Sequence, residues 1–224
     1  MNRIIGLITI GLMFASKVNS VEKLPLEVFS NLPAISSVQL SPNGERFAVW
    51  FNKEDISLLF GREVDGKKMV PLARTDNSKF KIRWINWINN DKLAVSVAFP
   101  ASRYGVKTTE TRLMKVSFKD GGLRPAVESK ARRQYDKGQG SKKAEHTPQI
   151  QDYVIDWLPD DPNRFLLAAD FETPLSSGVY QINANGGRKR IQPAKGDALA
   201  WVTDSNHKPR VYVRYRYKKA LYTV

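Results

Sequence analysis

Two histidines, His146 and His207, and no cysteine are available for acid–base or nucleophilic chemistry in this 224-residue chain. An imidazole set between a carboxylate and a hydroxyl or thiol can activate a nucleophile, and one grouped with several nitrogen, sulfur or carboxylate ligands can hold a metal ion. Neither pattern is legible here. His146 closes a strongly basic stretch and His207 stands in the turn sequence Asp204-Ser205-Asn206-His207-Lys208, so both read as exposed surface histidines. The neighbouring carboxylates Glu54-Asp55 and Asp160-Asp161 would suit general acid–base work only if held on fixed elements, and both pairs fall in turns. The sequence therefore assigns no catalytic, cofactor-binding or metal-binding residue.

Aromatic chemistry is better represented. Trp84, Trp87, Trp157 and Trp201 could stack on bases or sugars, and the alternation of Tyr212, Tyr215 and Tyr217 with Arg214 and Arg216 pairs rings with cations as single-strand binders do. Period-2 alternation on a strand accounts for the second pattern without nucleic acid. The tryptophans recur at matching places in a repeat, which points to packing between neighbouring sheets.

That repeat sets the architecture. LSPNGERFAV at 40–49, WINNDKLAV at 87–95, WLPDDPNRFLLA at 157–168 and WVTDSNHKPRVYV at 201–213 each place a large apolar residue before a polar turn and an apolar strand. A single hairpin cannot bury its own face, so such copies must stack on one another. In Ser41-Pro42-Asn43-Gly44 the proline presets φ and Gly44 takes a positive φ. Successive runs predict strands at 47–51, 56–62 and 69–73, then 82–88, 93–99, 111–118 and 123–127, then 153–169, 179–183 and 188–192, and a last group from Leu199 onward. The expected fold is all-β: a partial β-propeller of about four antiparallel four-stranded blades, preceded by a helical signal peptide.

The lead-in VEKLPLEVFSNLPA at 21–34 carries Pro25 and Pro33 and is expected to be extended. Between Glu128 and His146 the segment ESKARRQYDKGQGSKKAEH has six basic and three acidic residues and almost no apolar ones, the composition of a flexible insertion at about 128–146. It explains why the repeat interval is 70 residues between Trp87 and Trp157 but 47 from Leu40 to Trp87 and 44 from Trp157 to Trp201.

Residues 1–20 have a basic start at Arg3, an apolar run from Ile4 to Phe14 and small residues around Ser20, the layout of a secretory signal peptide. The domain reading is a signal peptide at 1–20 and a propeller domain at 21–224, exported to the periplasm, with no stable membrane anchor after cleavage. Without cysteine the exported chain has no disulfides and depends on burial. The formal charge is +14, and the signal segment holds Arg3 and Lys17 with no acid, leaving 14 − 2 = +12. That charge suits an anionic partner, while export argues against nucleic acid.

The lead-in LPLEVFSNLPAISSVQLSPNGERFAVW, the segment WLPDDPNRFLLA with the following GVYQINANGGRKRI, and AWVTDSNHKPRVYV together resemble the N-terminal propeller of exported serine peptidases of the prolyl oligopeptidase family. The resemblance covers essentially the whole chain after the signal segment. It implies a seven- or eight-bladed propeller that gates short peptides into a Ser-Asp-His α/β-hydrolase domain C-terminal to it. No triad residue carries over. The nucleophile-elbow pattern Gly-x-Ser-x-Gly does not occur, and Gly138-Gln139-Gly140-Ser141 has neither its spacing nor its strand–helix setting. The turn at 204–208 also lacks the tighter Asp- and Gly-containing form common in these peptidases. The expectation is thus a non-catalytic propeller portion, truncated before its hydrolase domain and inactive alone. The alternative is a stand-alone exported propeller-like scaffold that binds proteins and closes its ring by self-association.

Overall fold

The computed structural model describes residues 23–127, 146–196, 198–216 and 221–223. The expected signal segment and nearly all of the basic insertion lie outside the described residues. The chain falls into two compact units, residues 1–31 and 32–224. In the first, Leu26–Ser30 forms a single helical turn, α1, with Pro25 as its N-cap. This departs from the expected extended lead-in. Pro25 stands just ahead of the helix, where a fixed φ and a missing N–H do no harm, and its carbonyl accepts from the Val28 N–H at 3.1 Å.

The second unit is built of four antiparallel sheets, each a meander in chain order. The first contains β1 (Ile35–Leu40), β2 (Arg46–Lys53), β3 (Ile56–Glu63) and β4 (Val70–Thr75). The second contains β5 (Lys81–Asn89), β6 (Lys92–Arg103), β7 (Val106–Ser117) and β8 (Gly121–Pro125). The third contains β9 (Val154–Asp156), β10 (Arg164–Thr173), β11 (Ser176–Asn183) and β12 (Arg188–Gln192). The fourth has three strands among the described residues: β13 (Ala198–Thr203), β14 (Pro209–Arg216) and β15 (Leu221–Thr223). These are the blades of a partial β-propeller, as the repeat predicts, and each copy of the repeat forms the first hairpin of one blade.

The hairpins follow from turn chemistry. Gly44 adopts φ +74° and donates to the Ser41 carbonyl at 2.9 Å, while the Ser41 N–H reaches the Arg46 carbonyl at 2.7 Å. Register across β1 and β2 is Val38 opposite Val49 and Leu40 opposite Phe47, which sets one apolar row against another on the same face.

Period-2 alternation decides which blade each residue meets. From β6, Leu93, Val95 and Val97 join Ala48, Leu59 and Leu72 of the first blade. Ala94 from the same strand joins Phe165, Leu167 and Ile182 of the third blade. Both faces of the second blade are therefore covered, and Leu93 to Val97 is a continuous buried run. β10 repeats the pattern, sending Phe165, Leu167 and Ala169 toward the second blade and Leu166 and Ala168 toward Trp201 and Ala198 of the fourth. Gly61 allows the first two blades to approach closely: a Cβ there would stand 2.7 Å from the Phe118 ring. No helix among the described residues is long and apolar enough to cross a membrane.

Candidate functional site

The tryptophans act where the repeat predicts, between blades. Trp87 and Trp201 are each only 5% exposed. The Trp87 indole N–H donates to the Gln39 carbonyl of the first blade at 3.0 Å, and the Trp201 indole N–H donates to Ser177 Oγ of the third at 3.0 Å. Trp84 meets Trp157 edge-to-face, with ring centroids 6.1 Å apart, across the second and third blades. Trp157 lies 5.5 Å from Phe165, and Trp201 lies 5.3 Å from Tyr212. Aromatic pairs of this kind add about 0.5–1.5 kcal/mol to the area they bury. Tyr212 is thus engaged in packing; Tyr217 and Lys218 lie outside the described residues.

Neither histidine is the free surface residue expected from sequence. His146 Nε2 sits 3.2 Å from Asp170 Oδ2 on β10, with the imidazole about one-fifth exposed, and so fastens the end of the insertion to the third blade. His207 occupies the expected β13–β14 turn, but the turn needs a left-handed residue and His207 supplies it at φ +60°. That backbone geometry folds the ring back to Asp156 at the end of β9, Nδ1 lying 3.0 Å from both carboxylate oxygens. The same carboxylate accepts from Thr203 Oγ1 at 2.7 Å and from the Leu158 N–H at 2.9 Å. Burial pushes the Asp156 pKa up, but the Leu158 N–H, the Thr203 hydroxyl and His207 together outweigh it, holding the carboxyl below its ordinary value. The Thr203 hydroxyl donates to the carboxylate and not to the imidazole, so this is an inter-blade tie and not a nucleophile–base pair.

The adjacent carboxylates are turn residues, as expected. Glu54 and Asp55 form the β2–β3 turn, Glu54 at φ +53°. Asp161 accepts from the Asn163 N–H through its side chain and from the Arg164 N–H through its carbonyl. Among the described residues no cluster of three or more His, Asp or Glu could hold a metal ion. Gly138 to Ser141 lie outside the described residues.

Two features have no counterpart in the sequence reading. Asp152, only 6% exposed, stands in the segment that enters the third blade. Its Oδ2 accepts from Ser96 Oγ at 2.6 Å and from Arg83 Nη1 at 2.7 Å, and its Oδ1 accepts from Thr111 Oγ1 at 2.5 Å. The partners belong to β5, β6 and β7, so one buried acid ties three strands of the second blade to the segment leading into the third. The second feature is a cavity of about 550 Å³ at the edge of the wedge between the first two blades. Its wall is apolar, from Phe80, Val97, Phe99, Met114 and Leu123, and its rim carries Arg74, Lys79 and Arg112. Arg112 stacks over Phe99 at 5.0 Å and shares Glu110 with Arg103 at 2.6 and 2.7 Å. Burial raises the Glu110 pKa, yet the two guanidinium hydrogen bonds and charges prevail and leave the carboxyl below its usual range.

No protein-family model matches this chain, and no curated protein matches it significantly. Solved structures overlap it only loosely. A variant of the AtxE2 isopeptidase with Astexin3-dC4 bound is 12% identical, with a TM-score of 0.33, over 86% of this chain and 41% of that one. Oligogalacturonate lyase from Vibrio parahaemolyticus is 9% identical, with a TM-score of 0.31, over 86% and 66%. The β-propeller domain of the Trilobed protease from Pyrococcus furiosus is 12% identical, with a TM-score of 0.25, over 81% of each chain. The chain spans well under half the length of the isopeptidase. At these scores the overlaps do not define a family. The chain's own four stacked meanders define the fold, a β-propeller domain with open ends among the described residues.

Proposed function

We propose that this chain is the substrate-gating, non-catalytic propeller portion of an exported serine peptidase of the prolyl oligopeptidase family. In this reading an α/β-hydrolase domain C-terminal to it supplies the Ser-Asp-His triad, the propeller restricts entry to short peptides, and the protein works in the periplasm. The sequence resemblance supports the family, and the propeller fold is the one that such a gate requires.

One structural observation carries the reading furthest. The first and fourth blades each leave an apolar row uncovered on the face away from their neighbour. Val38 and Leu40 on β1 are 58% and 60% exposed, and Leu199 and Val202 on β13 are 59% and 51% exposed. The opposite faces of the same blades are packed. Apolar rows at both ends of a stack suit further blades better than they suit water. The two histidines are also committed to carboxylates in blade-to-blade and insertion-to-blade ties, which fits a scaffold without chemistry of its own.

The reading frame at and beyond the Val224 codon tests the proposal. A continuation, in frame or shifted, that encodes more repeats and then Gly-x-Ser-x-Gly between a strand and a helix supports it; an unrelated downstream gene sinks it. The chain by itself is expected to show no hydrolysis of proline-containing peptide substrates.

A further inference from the structure

We infer that the cavity between the first two blades is a binding site for a small amphipathic carboxylate, a molecule with one anionic head and one apolar tail. The site is built from both blades: Arg74 is on β4, Lys79 on the β4–β5 connection and Arg112 on β7, while the wall residues come from that connection and from β6, β7 and β8. Its volume of about 550 Å³ is within the usual range for small-ligand sites, which are mostly apolar with a few polar groups fixing orientation.

Charge selects the head group. Three cations line the cavity and no carboxylate does. Arg112 is offset by Glu110, which is divided between Arg112 and Arg103. Arg74 and Lys79 are exposed and form no ion pair among the described residues, although Lys79 lies within electrostatic reach of Asp76. Asp76 is itself occupied by Ser78, whose hydroxyl donates at 2.7 Å and whose N–H donates at 3.0 Å. The rim thus offers two uncommitted cations above a wall that is aromatic and aliphatic. An inorganic anion would gain the charges but leave the wall wet, and a neutral apolar molecule would gain the wall but leave the cations unanswered. An amphipathic carboxylate satisfies both.

Nothing in the peptidase reading requires this site, so its test is independent of the reading frame. Titration calorimetry of the full chain, below micelle-forming concentrations, compares dodecanoate, dodecanol and dodecyltrimethylammonium. The expected result is saturable one-to-one binding of dodecanoate, at least tenfold tighter than either of the others. The exposed double variant Arg74→Glu/Lys79→Glu should weaken dodecanoate at least tenfold while leaving dodecanol within twofold, with an unchanged circular dichroism spectrum. Equal affinity for the three tails, no binding of dodecanoate, or retention of its affinity in the double variant would overturn the inference. If the double variant fails to fold, the three-ligand comparison on the natural chain decides alone.

Discussion

The two inner blades and the two outer ones are made of the same hairpins but bury them differently. In the second and third blades alternate residues of one strand enter two different cores, as Leu93 and Ala94 do, or Phe165 and Leu166. In the first and fourth, the exposure is on the first strand, where Val38 and Leu40 of β1 stand in solvent although Val49 beside them on β2 is buried, and where Val202 of β13 is exposed while Trp201 is buried. A repeat has no core of its own, so the burial of each blade depends on having a neighbour on each side. The stability of the domain is therefore concentrated at its centre.

Core substitutions should separate the two regions most sharply. Phe165→Ala removes a fully buried ring between the second and third blades and is expected to cost about 3–5 kcal/mol in denaturant unfolding. Leu40→Ala on the open face of the first blade should change stability by less than about 0.5 kcal/mol. Comparable losses at the two sites would erase the distinction. Asp152→Ala comes next, because it leaves Ser96 and Thr111 hydroxyls buried without their acceptor; a loss of about 1–3 kcal/mol is expected by the same assay.

Smaller effects probe the ties to the fourth blade. Trp201→Phe keeps most of the packing but removes the donor to Ser177, for an expected loss of about 1 kcal/mol. Asp156→Asn tests the turn-to-blade contact by its pH dependence. The Asp156 pKa is depressed below 3.8 on folding, so its contribution is present in full above that value and fades as pH falls through the lower, folded one. The natural chain should exceed the variant by up to about 1 kcal/mol at neutral pH and converge with it in acid, followed by thermal melts across pH. A gap that widens below pH 3.8 would show that the carboxylate is not the stabilised form.

What could be read from the sequence was local. Pro42 and Gly44 announce their turn, and the recurring tryptophans announce the blade interfaces, because turn chemistry and strand period act over a few residues. The β6–β7 hairpin is longer than the predicted strands 93–99 and 111–118. Its strands run on to Arg103 and Val106 because Tyr104 and Gly105 both adopt positive φ, and tyrosine is an uncommon occupant of that position. Asp152 was invisible for a different reason: Thr111, Ser96 and Arg83 lie 41, 56 and 69 residues away in sequence. The sequence shows the turn and insertion that hold the histidines but not their partners Asp156 and Asp170, which lie on another element in each case. The cavity was hidden likewise, since its rim gathers residues from two blades.

Sedimentation velocity over a concentration series, on the chain without residues 1–20, tests the open-ended stack most directly. The account predicts association that grows with concentration without settling on one species, and its suppression in Leu40→Asp/Val202→Asp with no loss of thermal stability. A cooperatively melting monomer at every concentration, or a single discrete ring, would contradict it.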